Sequence, residues 1–247
     1  MLDLKKGLSA AVRYFWEVRG TQHEQQGSKT GKKDAGNRSA VTGGKHADGF
    51  IKLIGDILHD AGIPKADIFI SKKITLPCYF RSSKDWDLLV KVGDNLIAVV
   101  EVKSHIGSFG NNFNNRVEEA LGSATDFWSA YREATFKPSV RPWLGYLIML
   151  EEHPKSTRAS KPKQLPHYPV RKEFNGVSYA QRYEIFCERL VRERLYDAAC
   201  FLISSEDGGL KGEYSEPSKE LSFANFAAAL GARAAAFAKI AEQKDGL

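Results

Sequence analysis

The sequence predicts an α/β domain: a central mixed β-sheet flanked by helices and interrupted by two long basic loops. Three observations carry this reading. Apolar runs of strand length alternate with segments of helical period along the chain. One hairpin, Asp85 to Ser104, is almost continuously apolar, as a central strand covered on both faces should be. Two segments, 27–45 and 153–172, break every periodicity and are rich in lysine and arginine. The 247 residues, 43% of them hydrophobic, suffice for one substantial core, so residues 1–247 are read as a single domain.

From Leu4 to about Gln26, apolar residues at Leu4, Leu8, Ala11, Val12, Phe15 and Val18 predict a helix. A second helix, about His46 to Ala61, shows Phe50, Leu53, Ile54, Ile57 and Leu58 on one face, and Gly62 to Pro64 ends it. Strand material follows in IFISKKITLPCYF and then in the Asp85–Ser104 hairpin. Further along come a helix from about Asn115 to Glu133, a strand from Pro142 to Leu150 and a helix from about Tyr179 to Arg194. A strand from Asp197 to Ser204 and an alanine-rich helix from Phe223 to Glu242 complete the reading.

Lysine and arginine exceed aspartate and glutamate by 36 to 30, a net charge of +6. Such a balance favours a polyanionic partner, because each neutralised phosphate releases condensed counterions. No stretch reaches the roughly 20 apolar residues of a membrane helix, and the N-terminus does not read as a signal peptide. The three cysteines, Cys78, Cys187 and Cys200, lie in apolar contexts and are read as buried thiols of a reducing cytoplasm. His46 and His59 show no zinc-ligand spacing.

The hairpin carries the chemistry. Asp87 opens the run LLVKV, Gly93-Asp94-Asn95 signals a turn, and LIAVVEVK follows. Period-two geometry puts Glu101 and Lys103 on one face with Ile97 and Val99. A three-residue loop, Gly93 to Asn95, sets Val92 opposite Leu96 and Asp87 opposite Glu101; a two-residue loop would slip that register. Directly opposed residues have Cβ atoms about 4.5–5.5 Å apart. Two carboxylates that close repel unless a cation lies between them, and hard oxygen ligands suit Mg2+. Such a site supports phosphodiester hydrolysis, with Lys103 orienting water or stabilising developing charge. Asp85 competes with Asp87 as the ligand, and parity favours Asp87. An acidic residue followed by Glu-x-Lys is a degenerate pattern, and a Glu–Lys pair at a strand end is often only a solvated terminus.

Nucleic-acid contacts are expected from the loops. Residues 27–45 carry Lys29, Lys32, Lys33, Arg38 and Lys45 against one acid, Asp34. Residues 153–172 carry Lys155, Arg158, Lys161 and Lys163, four prolines and no acid. Between them, SFGNNFNNR supplies Asn111, Asn112, Asn114, Asn115 and Arg116; asparagine pairs bidentately with adenine, and arginine with guanine or phosphate. The alternative there is a turn, with Asn114 or Asn115 capping the next helix. His105 is read as a supporting or surface residue.

Asp87 with Glu101-Val102-Lys103 resembles the catalytic motif of the PD-(D/E)xK nuclease superfamily. The longer strings GGKHADGF (Gly43 to Phe50), KDWDLLVKVGDNLIAVVEVKS (Lys84 to Ser104) and FGNNFNNRVEEALG (Phe109 to Gly122) make nearly the whole chain similar to the XhoI-type type II restriction endonucleases. One departure is Trp86, where the motif has proline before the aspartate. The resemblance implies the restriction-endonuclease-like fold and a metal site of Asp87, Glu101 and the Val102 carbonyl. Many superfamily members add an acid from the preceding helix, for which Asp48 is preferred over Asp56. It also implies a homodimer that cuts palindromic CTCGAG duplex after the first C with Mg2+, leaving 5′ overhangs. A companion DNA methyltransferase would protect the host.

Two rival functions stand beside this. A repair nuclease or junction resolvase on the same fold would use the same three residues and recognise DNA shape. A non-catalytic DNA-binding module would keep the frame without use for opposed carboxylates.

Overall fold

A computed structural model describes residues 2–30 and 45–245, and the side chains among them except at 22–30 and 240–245. The chain runs through α1 (Leu4–Thr30), α2 (Asp48–Asp60), β1 (Ile68–Ile70), β2 (Thr75–Pro77), β3 (Ser83–Asp85), β4 (Leu88–Val92) and β5 (Asn95–His105). It continues through α3 (Phe109–Arg132), β6 (Trp143–Glu151), α4 (Pro154–Thr157), α5 (Tyr179–Arg192), β7 (Ala198–Ser204), α6 (Glu206–Gly209) and α7 (Phe223–Asp245).

The sheet is mixed, as the sequence predicts. Its order is β1-β4-β5-β6-β7, with β2 and β3 forming a separate pair. β1–β4 and β4–β5 are antiparallel, whereas β5–β6 and β6–β7 are parallel. Parallel neighbours need a crossover, and α3 and α5 supply the two crossovers. Each face of the sheet buries its own apolar cluster. On one side Val12, Phe15, Phe50, Ile54 and Leu58 of α1 and α2 and Phe226 and Leu230 of α7 meet Leu88, Val100 and Val102. On the other, Phe113 and Phe127 of α3 and Tyr183 and Phe186 of α5 meet Leu89, Val99, Tyr146 and Phe201. A strand covered twice has no polar face, which explains the unbroken apolar runs of β5, β6 and β7.

Three segments depart from the sequence expectation. The first basic loop does not begin at Gly27, because α1 continues through Thr30. Lys32, Lys33 and Arg38 lie outside the described residues, as does the side chain of Lys29. Residues 153–172 are not wholly loop: His153 caps the one-turn α4, its ring accepting from the Lys155 amide while Ser156 returns the bond. The asparagine-rich segment is helix, not turn. Phe109 and Phe113, spaced i to i+4, are both buried against the Tyr179 and Tyr183 rings, and this apolar pair starts α3 six residues before the expected Asn115. Neither Asn114 nor Asn115 caps the helix, because both lie inside it; the cap position is Ser108, at φ 45°.

Cys187 and Cys200 are buried free thiols, while Cys78 is only half-buried. No helix among the described residues is long and apolar enough to cross a membrane.

Candidate active site

The β4–β5 turn has two residues, not three: Val92 pairs with Asn95 and Lys91 with Leu96. Gly93 takes φ 55°, the positive value a two-residue hairpin turn needs at its first central position. That turn alone would slip the register, yet beyond Lys91 a bulge restores it. Val90 pairs with Ala98, Leu89 with Val99 and Leu88 with Val100, leaving Ile97 as the extra residue. Ile97 and Ala98 consequently pack into the same cluster, so Ile97 does not share a face with Val99. The next step beyond Leu88–Val100 sets Asp87 opposite Glu101, as the three-residue loop would have done. The Asp87 amide donates to the Val100 carbonyl at 3.2 Å, and the Val102 amide donates to Asp87 Oδ2 at 2.7 Å.

Asp87 is anchored from behind by Trp86. Its indole is buried, edge-on to Phe127 at 5.5 Å between ring centres. Asp85 points elsewhere: it belongs to β3, is exposed, and accepts from the Thr75 hydroxyl across the β2–β3 pair.

Glu101 is 1% exposed and fully partnered. Its Oε1 receives Lys103 Nζ at 2.8 Å and Lys84 Nζ at 2.9 Å, and its Oε2 accepts from the Tyr196 hydroxyl at 3.3 Å. Burial alone would raise its pKa, but the Lys103 and Lys84 ammonium groups outweigh it and hold the carboxyl below its usual value. Burial would likewise lower Lys103, and Glu101 and Asp87 together keep it above its ordinary value. Asp87 goes the other way. Burial dominates, the Lys103 charge and the Val102 amide offset it only partly, and its pKa is raised.

Lys84 and Tyr196 are the partners that the sequence reading missed. Lys84 precedes the motif and lies 4.6 Å over the Trp86 ring. Tyr196 follows α5, far away in the chain, and its single hydroxyl proton is shared between Glu101 Oε2 and the Ala120 carbonyl, which lies at 3.2 Å.

A cleft of about 290 Å³ opens on this hairpin end. Its walls include Asp87, Val102, Lys103, His105, Asn112 and Arg116, joined by Arg19 and His46. His105 is not at the surface: it is 2% exposed, with Nδ1 at 2.6 Å from the Tyr183 hydroxyl. Burial, with the Arg116 charge, pushes its pKa down to about 4. A wider cavity of about 540 Å³ brings Asn111 and Lys155 together beside Gly107, Glu151, His153 and Tyr179. Asn114, Asn115, Arg158, Lys161 and Lys163 are exposed and line neither space. Lys45 is exposed too, in a single 3-10 turn before α2.

Asp48 does not join the cleft. It lines a different groove, with Tyr14, Lys52 and Asp56, and Lys52 is ion-paired to Asp56 at 2.7 Å. The turn that reaches the cleft from this region carries His46 and Ala47 instead.

Among the described residues no three His, Cys, Asp or Glu side chains cluster as a ready metal cage. The donor set is two carboxylates and the Val102 carbonyl, all hard oxygens of the kind Mg2+ takes while keeping several waters. Asp87 fits this need best, because burial leaves its carboxylate short of positive partners. Glu101 fits once an ammonium group gives way, since both lysines use the same oxygen. The residues present therefore suit a divalent cation.

A mixed sheet presenting opposed carboxylates and a lysine at one hairpin end is the arrangement expected of a restriction-endonuclease-like nuclease. The sequence profile of the family described as restriction endonuclease XhoI matches residues 25–216, and the chain belongs to that family of type II restriction endonucleases. It is 53% identical over 195 residues to the type II restriction enzyme BstVI of Geobacillus stearothermophilus, covering 76% of this chain and 87% of that one. It is 43% identical to the type II restriction enzyme XhoI of Xanthomonas vasicola, covering 73% and 72% of the two chains. It is 41% identical to the type II restriction enzyme AbrI of Azospirillum brasilense, covering 68% and 75%. No solved structure matches the chain.

Proposed function

We propose that this restriction endonuclease is a Mg2+-dependent homodimer that hydrolyses both strands of duplex DNA at CTCGAG, cutting after the first C to leave 5′ overhangs. A companion methyltransferase would shield the same sequence in the host. The observation that carries the chemistry is the bulge-corrected register that opposes Asp87 and Glu101, with Lys103 at 2.8 Å from Glu101. The sequence preference rests on the family resemblance.

In this reading Asp87, Glu101 and the Val102 carbonyl hold the cation. When bound, Mg2+ supplies Lewis-acid polarisation of the scissile phosphate and neutralises charge that develops there. Glu101 is already ionised and needs no proton removed before it can act as a ligand. Lys103 stays protonated on the cleft wall and donates to the attacking water or to a non-bridging phosphate oxygen. Asn111, Asn112 and Arg116 on the first turns of α3, and Lys155 across the neighbouring cavity, contact bases or backbone. Lys45, Arg158, Lys161 and Lys163, with Lys29, Lys32, Lys33 and Arg38, add phosphate contacts.

The test is digestion of unmethylated plasmid by the wild type and by Asp87→Ala, with Mg2+ and with chelator, followed by sequencing of the ends. Magnesium-dependent fragments ending at CTCGAG, absent for the variant, are expected. Discrete ends at another sequence would remove the proposed specificity. No cleavage with any divalent metal, despite tight duplex binding, would remove the proposed chemistry.

A further inference from the structure

The cleft beside Asp87 carries two residues that the nuclease reading does not use, Arg19 and His46. Arg19, 7% exposed on α1, and His46 face Arg116 and Asn112 of α3 across the space that also holds Lys103. These residues come from distant parts of the chain, and nothing in a helix period or a strand parity brings them together.

Two polar atoms of this cleft are buried with no hydrogen-bond partner among the described residues: His46 Nδ1 and Arg116 Nε. Arg116 Nε is a donor only. The other ring nitrogen of His46, Nε2, lies 3.4 Å from the Ser104 hydroxyl. If that hydroxyl donates, Nδ1 carries the proton, so both orphaned atoms are donors. Buried donors left unmade cost about 1–3 kcal/mol each, and a native fold keeps them where something else completes them. Arg19, Arg116 and Lys103 add positive charge around them, against Asp87 in the same cleft, Glu119 paired to Arg116 and Glu101 paired to Lys103. Burial first, and then the Arg19 and Arg116 charges, push the His46 pKa down to about 4, so its ring is neutral at neutral pH. What completes two donors beside Arg19 is an acceptor-rich group, and a phosphodiester is one that the adjoining site would bring.

We infer that this cleft seats a DNA phosphodiester next to the scissile one, gripped by Arg19, His46 and Arg116. The inference rests on the nuclease reading of the adjoining carboxylates. Duplex backbone, and not free phosphate, is the committed occupant, because the cleft shares Asp87 and Lys103 with the proposed cleavage site. Neighbouring phosphates of one strand are therefore the anions delivered to it. Arg19, His46 and Arg116 are positioning residues here: they fix the strand so that its next phosphate meets Lys103 and the carboxylates.

The experiment measures binding of CTCGAG duplex to the wild type, Arg19→Gln and Arg116→Gln by fluorescence anisotropy in chelator. The phosphates flanking the scissile bond are replaced one at a time by neutral methylphosphonate. Wild type should lose about tenfold in affinity at one flanking position, and the same replacement should cost the variants little, a coupling that a merely structural role would not produce. Each variant should also lower the slope of log affinity against log salt by about one contact. Arg116→Gln, at a half-buried position, carries the test if Arg19→Gln fails to fold. An equal methylphosphonate penalty in wild type and variants overturns the pocket, while continued plasmid cleavage leaves the nuclease reading in place. A wild type that neither binds duplex nor cuts it removes both.

Discussion

The β5 side and the β4 side of the site hold the same chemical group in opposite ways. On β5, Glu101 is buried among two ammonium groups and a tyrosine hydroxyl, and its carboxyl is held below the usual range. On β4, Asp87 has one main-chain amide, and burial leaves its carboxyl above the usual range. The difference teaches that one carboxylate is stabilised in the protein alone, while the other, in the proposed reading, is completed by a cation. On the proposed reading such a site is preorganised without being self-satisfied, and Asp87 is the carboxylate that a bound cation would stabilise most.

The largest expected effect tests whether both sides serve one cation. Asp87→Asn and Glu101→Gln should each lower the single-turnover cleavage rate by about 10³-fold, since either removes a charged oxygen at the reacting phosphate. Retained cleavage in one of them would break the comparison at that side.

Folding stability should then separate the two. Glu101→Ala leaves two ammonium groups without their carboxylate and should cost about 3 kcal/mol in denaturant unfolding without metal, the lower end for a buried pair because both lysines keep a path to water. Asp87→Asn should instead raise stability at neutral pH. The sign follows from linkage. A carboxyl lowered in the fold, such as Glu101, contributes stability above its unfolded value near 4.5, lost as pH falls through the folded value. A carboxyl raised in the fold, such as Asp87, costs stability as pH rises through its unfolded value near 3.8, and the cost is complete above the folded value. The Asp87→Asn gain should accordingly vanish in acid; a loss of stability at neutral pH would contradict the assignment.

A smaller effect is expected at Lys84, which shares Glu101 Oε1 with Lys103. Lys84→Met should lower the Mg2+ concentration for half-maximal cleavage by about threefold, since it removes one of the two ammonium groups that compete for that oxygen and leaves Lys103 in place. An increase would make Lys84 a support of the metal site and not a competitor. The smallest effect is expected far from the hairpin. Lys161→Ala and Lys163→Ala, both exposed, should each reduce the salt slope of duplex binding by about one and leave the cleavage rate of bound DNA unchanged.

Much of this was legible in the chain. The period-two placement of Val99, Glu101 and Lys103 predicted one face, and the helical spacing of Phe50, Ile54, Ile57 and Leu58 predicted α2. The bulge at Ile97 was not legible, because Leu96, Ile97, Ala98 and Val99 are all apolar and either register of β5 buries them. The opposition of Asp87 and Glu101 was reached through a turn of the wrong length, corrected by a bulge that the sequence does not announce. The start of α3 was hidden by its glycines and asparagines, although Phe109 and Phe113 at i and i+4 carried the signal. Asp48 looked available because it is an acid on a nearby helix; its groove opens onto Tyr14 and Asp56 and away from the hairpin. Lys84, Tyr196 and Arg19 reach the site only through tertiary packing, which no local pattern records.

The most direct test of the account is divalent-ion binding itself. Electron paramagnetic resonance of Mn2+ titrated into the protein with CTCGAG duplex would compare wild type, Asp87→Asn and Glu101→Gln, all confirmed folded. The account predicts an ion held by the wild type and released to solution by either substitution. Mn2+ held equally by all three proteins would contradict the claim that these two carboxylates share one cation.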